Sequence, residues 1–213
     1  MKNIYIVRHG QSEENATKIL ADGGSPLTAE GIREAGIIAS RVAQLKAEVI
    51  ICSDYVRAKQ TADIISQQVG VSVEVLPYIY ENKYPGRIIG HKQDEPEILQ
   101  IALNVHAGYA DPDFHYEDAE SFNDLKKRAR TLLDHITKHP AENMLIVSHA
   151  LFIKMMVGEM LFGDALTGEV FKSMIHGLRL KNTGITWCEY SDKFFQNQWK
   201  INTWNDHNHL AEV

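Results

Sequence analysis

Arg8, His9 and Gly10 close a run, Ile4-Tyr5-Ile6-Val7, that is apolar or aromatic and mostly β-branched. Ser53, Asp54 and Arg57 follow a second apolar run, Val49-Ile50-Ile51-Cys52, and Ser148-His149-Ala150 follows another, Met144-Leu145-Ile146-Val147. Taken singly, Arg-His-Gly is an ordinary polar strand end with a turn glycine. Three apolar runs that end in the same manner change that reading. Runs apolar on both faces suit buried strands of a parallel sheet, and in open α/β sheets ligands bind outside the carboxyl ends of the strands. Two histidines, two arginines and the helix N-termini beside them, gathered in one crevice, would favour a dianion, and phosphate is the commonest biological one.

Other chemistries fit the residues less well. The chain has no Gly-x-x-x-x-Gly-Lys-Ser/Thr run and no Gly-x-Gly-x-x-Gly after the first strand, which argues against a P-loop and a dinucleotide fold. It has no Gly-x-Ser-x-Gly turn for a serine hydrolase. A metal held by His9 and His149 would be repelled by the arginines, and such sites usually recruit carboxylates or cysteines. What remains is histidine as a nucleophile on phosphorus: one ring nitrogen attacks while the other donates to a fixed acceptor. Arg8 and Arg57 would clamp the phosphoryl oxygens, His149 would donate to the same oxygens, and an acid would protonate the leaving alkoxide. Glu81 is the first choice for that acid.

These residues need elements to position them. Thr28 is a plausible N-cap for a helix over about 29–45, with Ile38, Val42 and Leu45 on one side. Ser53 and Asp54 are N-cap types, and Ala58, Thr61, Ala62, Ile65 and Val69 give the following helix its spacing. Arg57 falls in its first turn, where the positive end of the helix dipole does not favour it, so a shared anion is a sharper reading than an exposed arginine. Residues 71–76 predict a third strand ended by Pro77. From about 80 to 120 the periodicity dissolves among Pro85, Gly86, Gly90, Pro96, Gly108 and Pro112, with helical spacing only near 98–105. Such a long irregular segment predicts a lid over the strand ends. Ser121 and Asp124 then start a helix with the stripe Leu125, Ala129, Leu132, Leu133 and Ile136. A largely apolar helix follows His149, and the tail from about 174 reads as strands added at the sheet edge. The expected fold is an α/β three-layer sandwich: a mostly parallel central sheet, helices on both faces, and the lid insertion over the strand carboxyl ends, all within one domain.

The 213 residues, 44% hydrophobic and 23% charged, suit such a domain. A net charge of −6 argues against non-specific nucleic-acid binding. Cys52 and Cys188 lie in apolar stretches without metal or Cys-x-x-Cys spacing, so buried free thiols are expected. The N-terminus has no signal-peptide shape, and the most apolar run, 151–162, is too short and carries Lys154 and Glu159. A cytoplasmic protein that makes no membrane contact is expected; a homodimer stays open.

Arg8-His9-Gly10 resembles the signature of the histidine phosphatase, or phosphoglycerate-mutase-like, superfamily, and further matches run along most of the chain. Gln11-Ser12-Glu13-Glu14-Asn15 is similar to its polar continuation, Pro26-Leu27-Thr28-x-x-Gly31 to its next motif, and Ser53-Asp54-x-x-Arg57-Ala58-x-x-Thr61-Ala62 to its second arginine motif. Leu76 with Glu81, Ser148-His149-Ala150, and Asn205-Asp206 with His209-Leu210 resemble later ones. The resemblance implies His9 as the phosphorylated nucleophile and Arg8, Arg57 and His149 as the phosphate pocket. It also implies Asn15 as a phosphate contact, Glu81 as acid and then base, and no metal or organic cofactor. Gln11, Ser12 and Ala150, in the same motifs, are expected beside Asn15 at the substrate. The family's mutases carry Glu-Arg-x-Tyr-Gly after the acid; this chain has Glu81-Asn82-Lys83-Tyr84-Pro85-Gly86, which favours a phosphatase.

The expected function is therefore a phosphomonoesterase acting on a small-molecule phosphate ester. The alternatives are phosphoglycerate mutase-type transfer and a non-catalytic phospho-ligand binding module, which would have no need to keep a nucleophile. Glu120 is the second candidate for the acid. Tyr84, Arg87, His91 and Lys92 lie on the lid, where a solvated face is the plainer reading. His106, His115 and His207 have no partner nameable from sequence and are read as structural or surface residues.

Overall fold

A computed structural model describes residues 1–195 and 198–210. Its elements run in the order β1 (Lys2–Arg8), α1 (Glu13–Thr17), α2 (Ala29–Leu45), β2 (Val49–Ser53), α3 (Val56–Val69), β3 (Val73–Leu76), α4 (Pro96–Gly108), α5 (Phe122–Lys138), β4 (Asn143–Ser148), α6 (Ala150–Phe162), α7 (Gly168–Gly177), β5 (Ile185–Tyr190) and β6 (Trp199–Asp206). The sheet order is β3-β2-β4-β1-β5-β6. The first four strands in that order pair in parallel, and β5 and β6 join antiparallel at the far edge.

The period-two alternation of a strand explains why β1, β2 and β4 are apolar throughout. Ile4, Ile6, Ile51, Met144 and Ile146 face one core, packed against residues of α5 and α6 such as Leu125, Leu132, Phe152 and Met156. Val7, Ile50, Cys52, Leu145 and Val147 face the other, against Ile38 and Val42 of α2 and Ala62 and Ile65 of α3. Each fully buried branched side chain contributes about 1.5–3 kcal/mol, and one layer of helices cannot cover both faces. The result is the expected α/β sandwich.

Some boundaries differ from the sequence reading. The helix after β2 has Tyr55 as its N-cap, because Ser53 is the last residue of the strand and its hydroxyl accepts from Tyr55 N–H at 3.2 Å. The polar stretch after Gly10 forms α1, started by a reciprocal capping box between Ser12 and Asn15. Thr167 caps α7, a helix the periodicity did not suggest. The third strand is shorter than expected and begins at Val73. Among the described residues, no helix is long and apolar enough to cross a membrane.

The lid is tied down at both ends and shares a small core with the segment after α1. Leu20, Ile88, Ile98 and Ile101 cluster together, and Leu20 N–H donates to His91 O at 2.9 Å while Gly90 N–H donates to Leu20 O at 2.8 Å. Arg128 on α5 holds Glu120 through two hydrogen bonds of 2.5 and 2.6 Å, and its Nη1 donates to the carbonyls of Tyr78 and Tyr80. One guanidinium thus joins the segments before and after the lid.

Candidate active site

His9 is delivered by the end of β1 and is 2% exposed. Its Nδ1 lies 2.7 Å from Gly10 O, and its Nε2 accepts from Arg57 Nε–H at 3.1 Å. A carbonyl can only accept, so Nδ1 carries the proton and the lone pair of Nε2 is directed at Arg57. Burial, then the charges of Arg8 and Arg57, hold the imidazole well below its ordinary pKa and keep it neutral. The chain turns sharply after His9 because Gly10 and Gly31 let it press against the first turn of α2. A Cβ on Gly31 would stand 2.0 Å from Gln11 O, and one on Gly10 2.5 Å from Gly31 O. Thr61 completes the seat: its Oγ1 accepts from Gly10 N–H at 3.1 Å and donates to Arg57 O at 2.7 Å.

Arg57, in the first turn of α3, also lies 3.3 Å from the carboxylate of Glu14. Arg8 donates from Nη1 to Leu180 O at 2.8 Å and leaves its buried Nε without a partner. His149, at the end of β4, is fully buried and neither ring nitrogen has a hydrogen-bond partner. Its ring lies 5.0 Å from that of His9 and 5.1 Å from that of Tyr55. Burial, with His9, Arg57 and Arg8 adding to it, holds His149 well below the ordinary histidine value. A buried polar atom without a partner costs on the order of 1–3 kcal/mol. Arg8 Nε–H and the one protonated ring nitrogen of His149 are unpartnered donors beside the neutral His9, and an oxyanion in that cradle would satisfy both.

Glu81 lies at the N-terminus of α6. Its Oε1 accepts from Leu151 N–H at 2.9 Å, Phe152 N–H at 3.2 Å and its own neighbour Asn82 N–H at 3.1 Å; its Oε2 has one contact, at 3.3 Å to Leu151 N–H. His149, the N-cap residue, makes no side-chain cap bond, so Glu81 performs that task from the lid.

These residues open onto a cavity of about 410 Å³. Of the residues singled out from sequence, Arg8, His9, Asn15, Arg57, Glu81, Ala150 and, from the lid, Tyr84 line it. His149 is not among the lining residues, and its ring lies 5.0 Å from that of His9. Gln11 and Ser12 are outside the lining: Gln11 Oε1 accepts from Thr28 Oγ1, and Ser12 caps α1. Asn15 Oδ1 accepts from Asn182 Nδ2 at 3.2 Å, and Asn182 also donates to His9 O at 2.9 Å. Glu120 is bound to Arg128 and faces a different depression, beside Tyr78 and Tyr80. Arg87 pairs with Glu117 and, like His91 and Lys92, does not line the cavity.

His106, read from sequence as structural or surface, lines the cavity, as do Glu14, given no role within its motif, and His176, which sequence reasoning passed over. For His106 a signal existed: Leu99, Ala102, Leu103 and His106 recur at three- and four-residue spacing on α4, so they share a face. Cys52 and Cys188 are buried free thiols pushed up to about 12 by burial, which leaves them inert. One His/Glu cluster, Glu74 with His135 and His139, has ligand atoms within 4.8 Å of one another on the surface of β3 and α5. There His139 Nδ1 accepts from Ala141 N–H, so its Nε2 carries the proton and faces Glu74 as a donor, not as a metal ligand.

The family model of the histidine phosphatase superfamily (branch 1) matches residues 4–207. The chain therefore belongs to the histidine phosphatase superfamily. A Proteus mirabilis relative named "Probable phosphoglycerate mutase GpmB" is 30% identical over 219 residues, spanning 100% of this chain and 97% of the relative. Among solved structures, Bacillus stearothermophilus YhfR superposes with a TM-score of 0.81 at 22% identity, covering 99% of this chain and 100% of the other. A mycobacterial glucosyl-3-phosphoglycerate phosphatase complexed with VO3 gives 0.77 at 20% identity, covering 97% and 100%. Likeness at these identities speaks for the fold; the family's members include phosphatases and mutases.

Proposed function

We propose that the protein is a phosphomonoesterase that works through a phosphohistidine on His9. The observation that carries this reading is the fixed tautomer of His9, whose Nε2 is held by Arg57 beside the unpartnered nitrogens of Arg8 and His149. An ester phosphoryl group entering there would accept from Arg8, Arg57 and His149, with Asn15 beside them. Arg57 Nε–H would transfer from His9 Nε2 to a phosphoryl oxygen, which frees the lone pair. Nε2 then forms a bond to phosphorus as the P–O bond to the alcohol breaks, and Glu81 in its acid form gives its proton to the leaving alkoxide. In the second half Glu81 takes a proton from water, whose oxygen displaces His9 and yields inorganic phosphate. The guanidinium and imidazole donors stabilise the charge on the three equatorial oxygens in both steps.

A mutase reading is favoured by the names of the relatives at about 30% identity. The phosphatase reading is supported by Asn82, a neutral residue that lines the cavity where the family's mutases carry arginine. The test is hydrolysis of p-nitrophenyl phosphate in EDTA by the wild type and His9→Ala, beside conversion of 3- to 2-phosphoglycerate with a bisphosphoglycerate primer. Turnover in EDTA that falls by at least about 10³-fold in His9→Ala is expected. Primer-dependent mutase activity exceeding hydrolysis would select the other reading, and equal hydrolysis by His9→Ala would overturn both.

A further inference from the structure

The part of the cavity beyond the phosphoryl cradle has a chemistry of its own. Leu20, Ile98, Leu99, Leu103 and Ile175 wall it. Helix α4 turns Ile98, Ile101 and Val105 inward, yet Leu99 and Leu103, one turn apart, are 48% and 44% exposed and belong to the cavity wall. Folding leaves this second apolar stripe uncovered, as in a surface kept for a ligand. The polar groups there are the amides of Asn82 and Gln93, Tyr84 Oη at 3.2 Å from His106 Nε2, and the ring of His176, 6.5 Å from that of His106. Burial lowers His106 to about 4 and pushes Tyr84 up to about 12, so both are uncharged near neutrality.

Among the described residues, the lysines and arginines of the lining are Arg8 and Arg57, both at the cradle, and both lining carboxylates, Glu14 and Glu81, lie near them. Lys154 is turned away, donating to Ile175 O at 2.7 Å, and Arg87 is held by Glu117. A second anionic group on a substrate would meet no lysine or arginine there, only the apolar wall, the amides of Asn82 and Gln93 and the rings of Tyr84, His106 and His176, a costly arrangement in a partly desolvated site.

Resting on the phosphomonoesterase reading, we infer that the site takes monoesters of uncharged, apolar alcohols, of the alkyl or aryl class, and discriminates against esters whose alcohol carries a carboxylate or a second phosphate. Leu99 and Leu103 are the specificity residues, and the Tyr84–His106 pair offers a neutral hydrogen bond to a single polar atom on the alcohol.

The test compares kcat/KM at about pH 8, where ordinary histidines are neutral, for ethyl phosphate, hexyl phosphate and the hexyl ester with a terminal carboxylate. All three leave as primary alkoxides, so differences report the cavity and not the leaving group. Hexyl phosphate is expected to exceed ethyl phosphate by about 100-fold, from four buried methylenes, and its carboxylated counterpart by at least about 10-fold. Leu103→Lys should reverse the second preference, and urea unfolding would show the variant folded. His9-dependent hydrolysis with equal kcat/KM for all three, or with the carboxylated ester preferred, overturns the substrate class and leaves the phosphatase reading intact. Hydrolysis of all three that is unchanged in His9→Ala overturns the phosphatase reading and the inference with it.

Discussion

His9 and His149 sit 5.0 Å apart, both fully buried beside two guanidinium groups, and both are held neutral by that setting. The arrangement links oxyanion binding to protons. Below about pH 6.5 the unfolded chain takes up protons on these two rings that the folded chain refuses, so unfolding binds protons and stability falls as the pH drops. Burial raises Glu14 and Glu34, which act in the opposite direction, because the folded chain then holds protons the unfolded one releases. An oxyanion in the cradle would offset the arginine charge and let His149 accept a proton. Sulfate, a dianion across the whole range, should therefore stabilise more at about pH 5.5 than at about pH 7.5, and His149→Ala should lose most of that difference. Urea unfolding with and without sulfate at the two pH values measures it. Equal stabilisation at both would show that His149 does not face the anion. Much of this was legible in the residues: an arginine and a histidine at one strand end and a histidine at another point to one crevice. The fixed tautomer was not, because it depends on where Arg57 Nε and Gly10 O lie in space.

At the scale of elements, the site is assembled where β1, β2 and β4 end, and each following helix starts with a different device. Helix α1, after β1, uses the Ser12–Asn15 capping box, and α3, after β2, begins with Tyr55, which makes no side-chain cap bond. Helix α6 is capped from the lid by Glu81. That contact gives Glu81 two separable tasks. Glu81→Gln retains an acceptor for the α6 N-terminus and has no proton to exchange; its kcat on alkyl phosphates should fall by about 10²–10⁴-fold with stability nearly unchanged. Glu81→Ala should show the same kinetic loss and be less stable by about 1 kcal/mol, since the helix N–H groups lose their acceptor. Loss of stability in the glutamine variant equal to that in alanine, with full activity in both, would make Glu81 a cap and nothing more. Strand and helix patterns carried the sheet and five of its helices. They could not reveal α7, or the pairing of Glu120 with Arg128 instead of substrate, because those depend on contacts between segments far apart in the chain.

For the molecule as a whole, two apolar cores cover the faces of the sheet, and a third, smaller cluster joins Ile88, Ile98 and Ile101 of the lid to Leu20. The expected insertion at about 80–120 corresponds to a stretch with its own helix, fastened by Arg128 at one side and by backbone pairing with the segment after α1 at the other. It contributes Glu81, Tyr84 and the apolar face of α4 to the cavity. Composition predicted a lid but not its inner surface, because alternate faces of α4 bury against the small core and against the cavity, and only the fold separates them. The ends of the sheet strands place His9 and His149 and the lid places Glu81, Leu99 and Leu103, so in the proposed reaction the nucleophile would come from the sheet and the acid from the lid.

The central claim is a covalent phosphoryl group on His9 Nε2. Mixing p-nitrophenyl phosphate with Glu81→Gln under stopped flow tests it directly. Nitrophenolate leaves without an acid, whereas attack by water is slowed by the missing base, so the intermediate should accumulate. A burst of about one equivalent of nitrophenolate per chain is expected, with phosphate recovered on the peptide containing His9 and lost in acid. No burst, or phosphate recovered on any other residue, would contradict a phosphohistidine at His9.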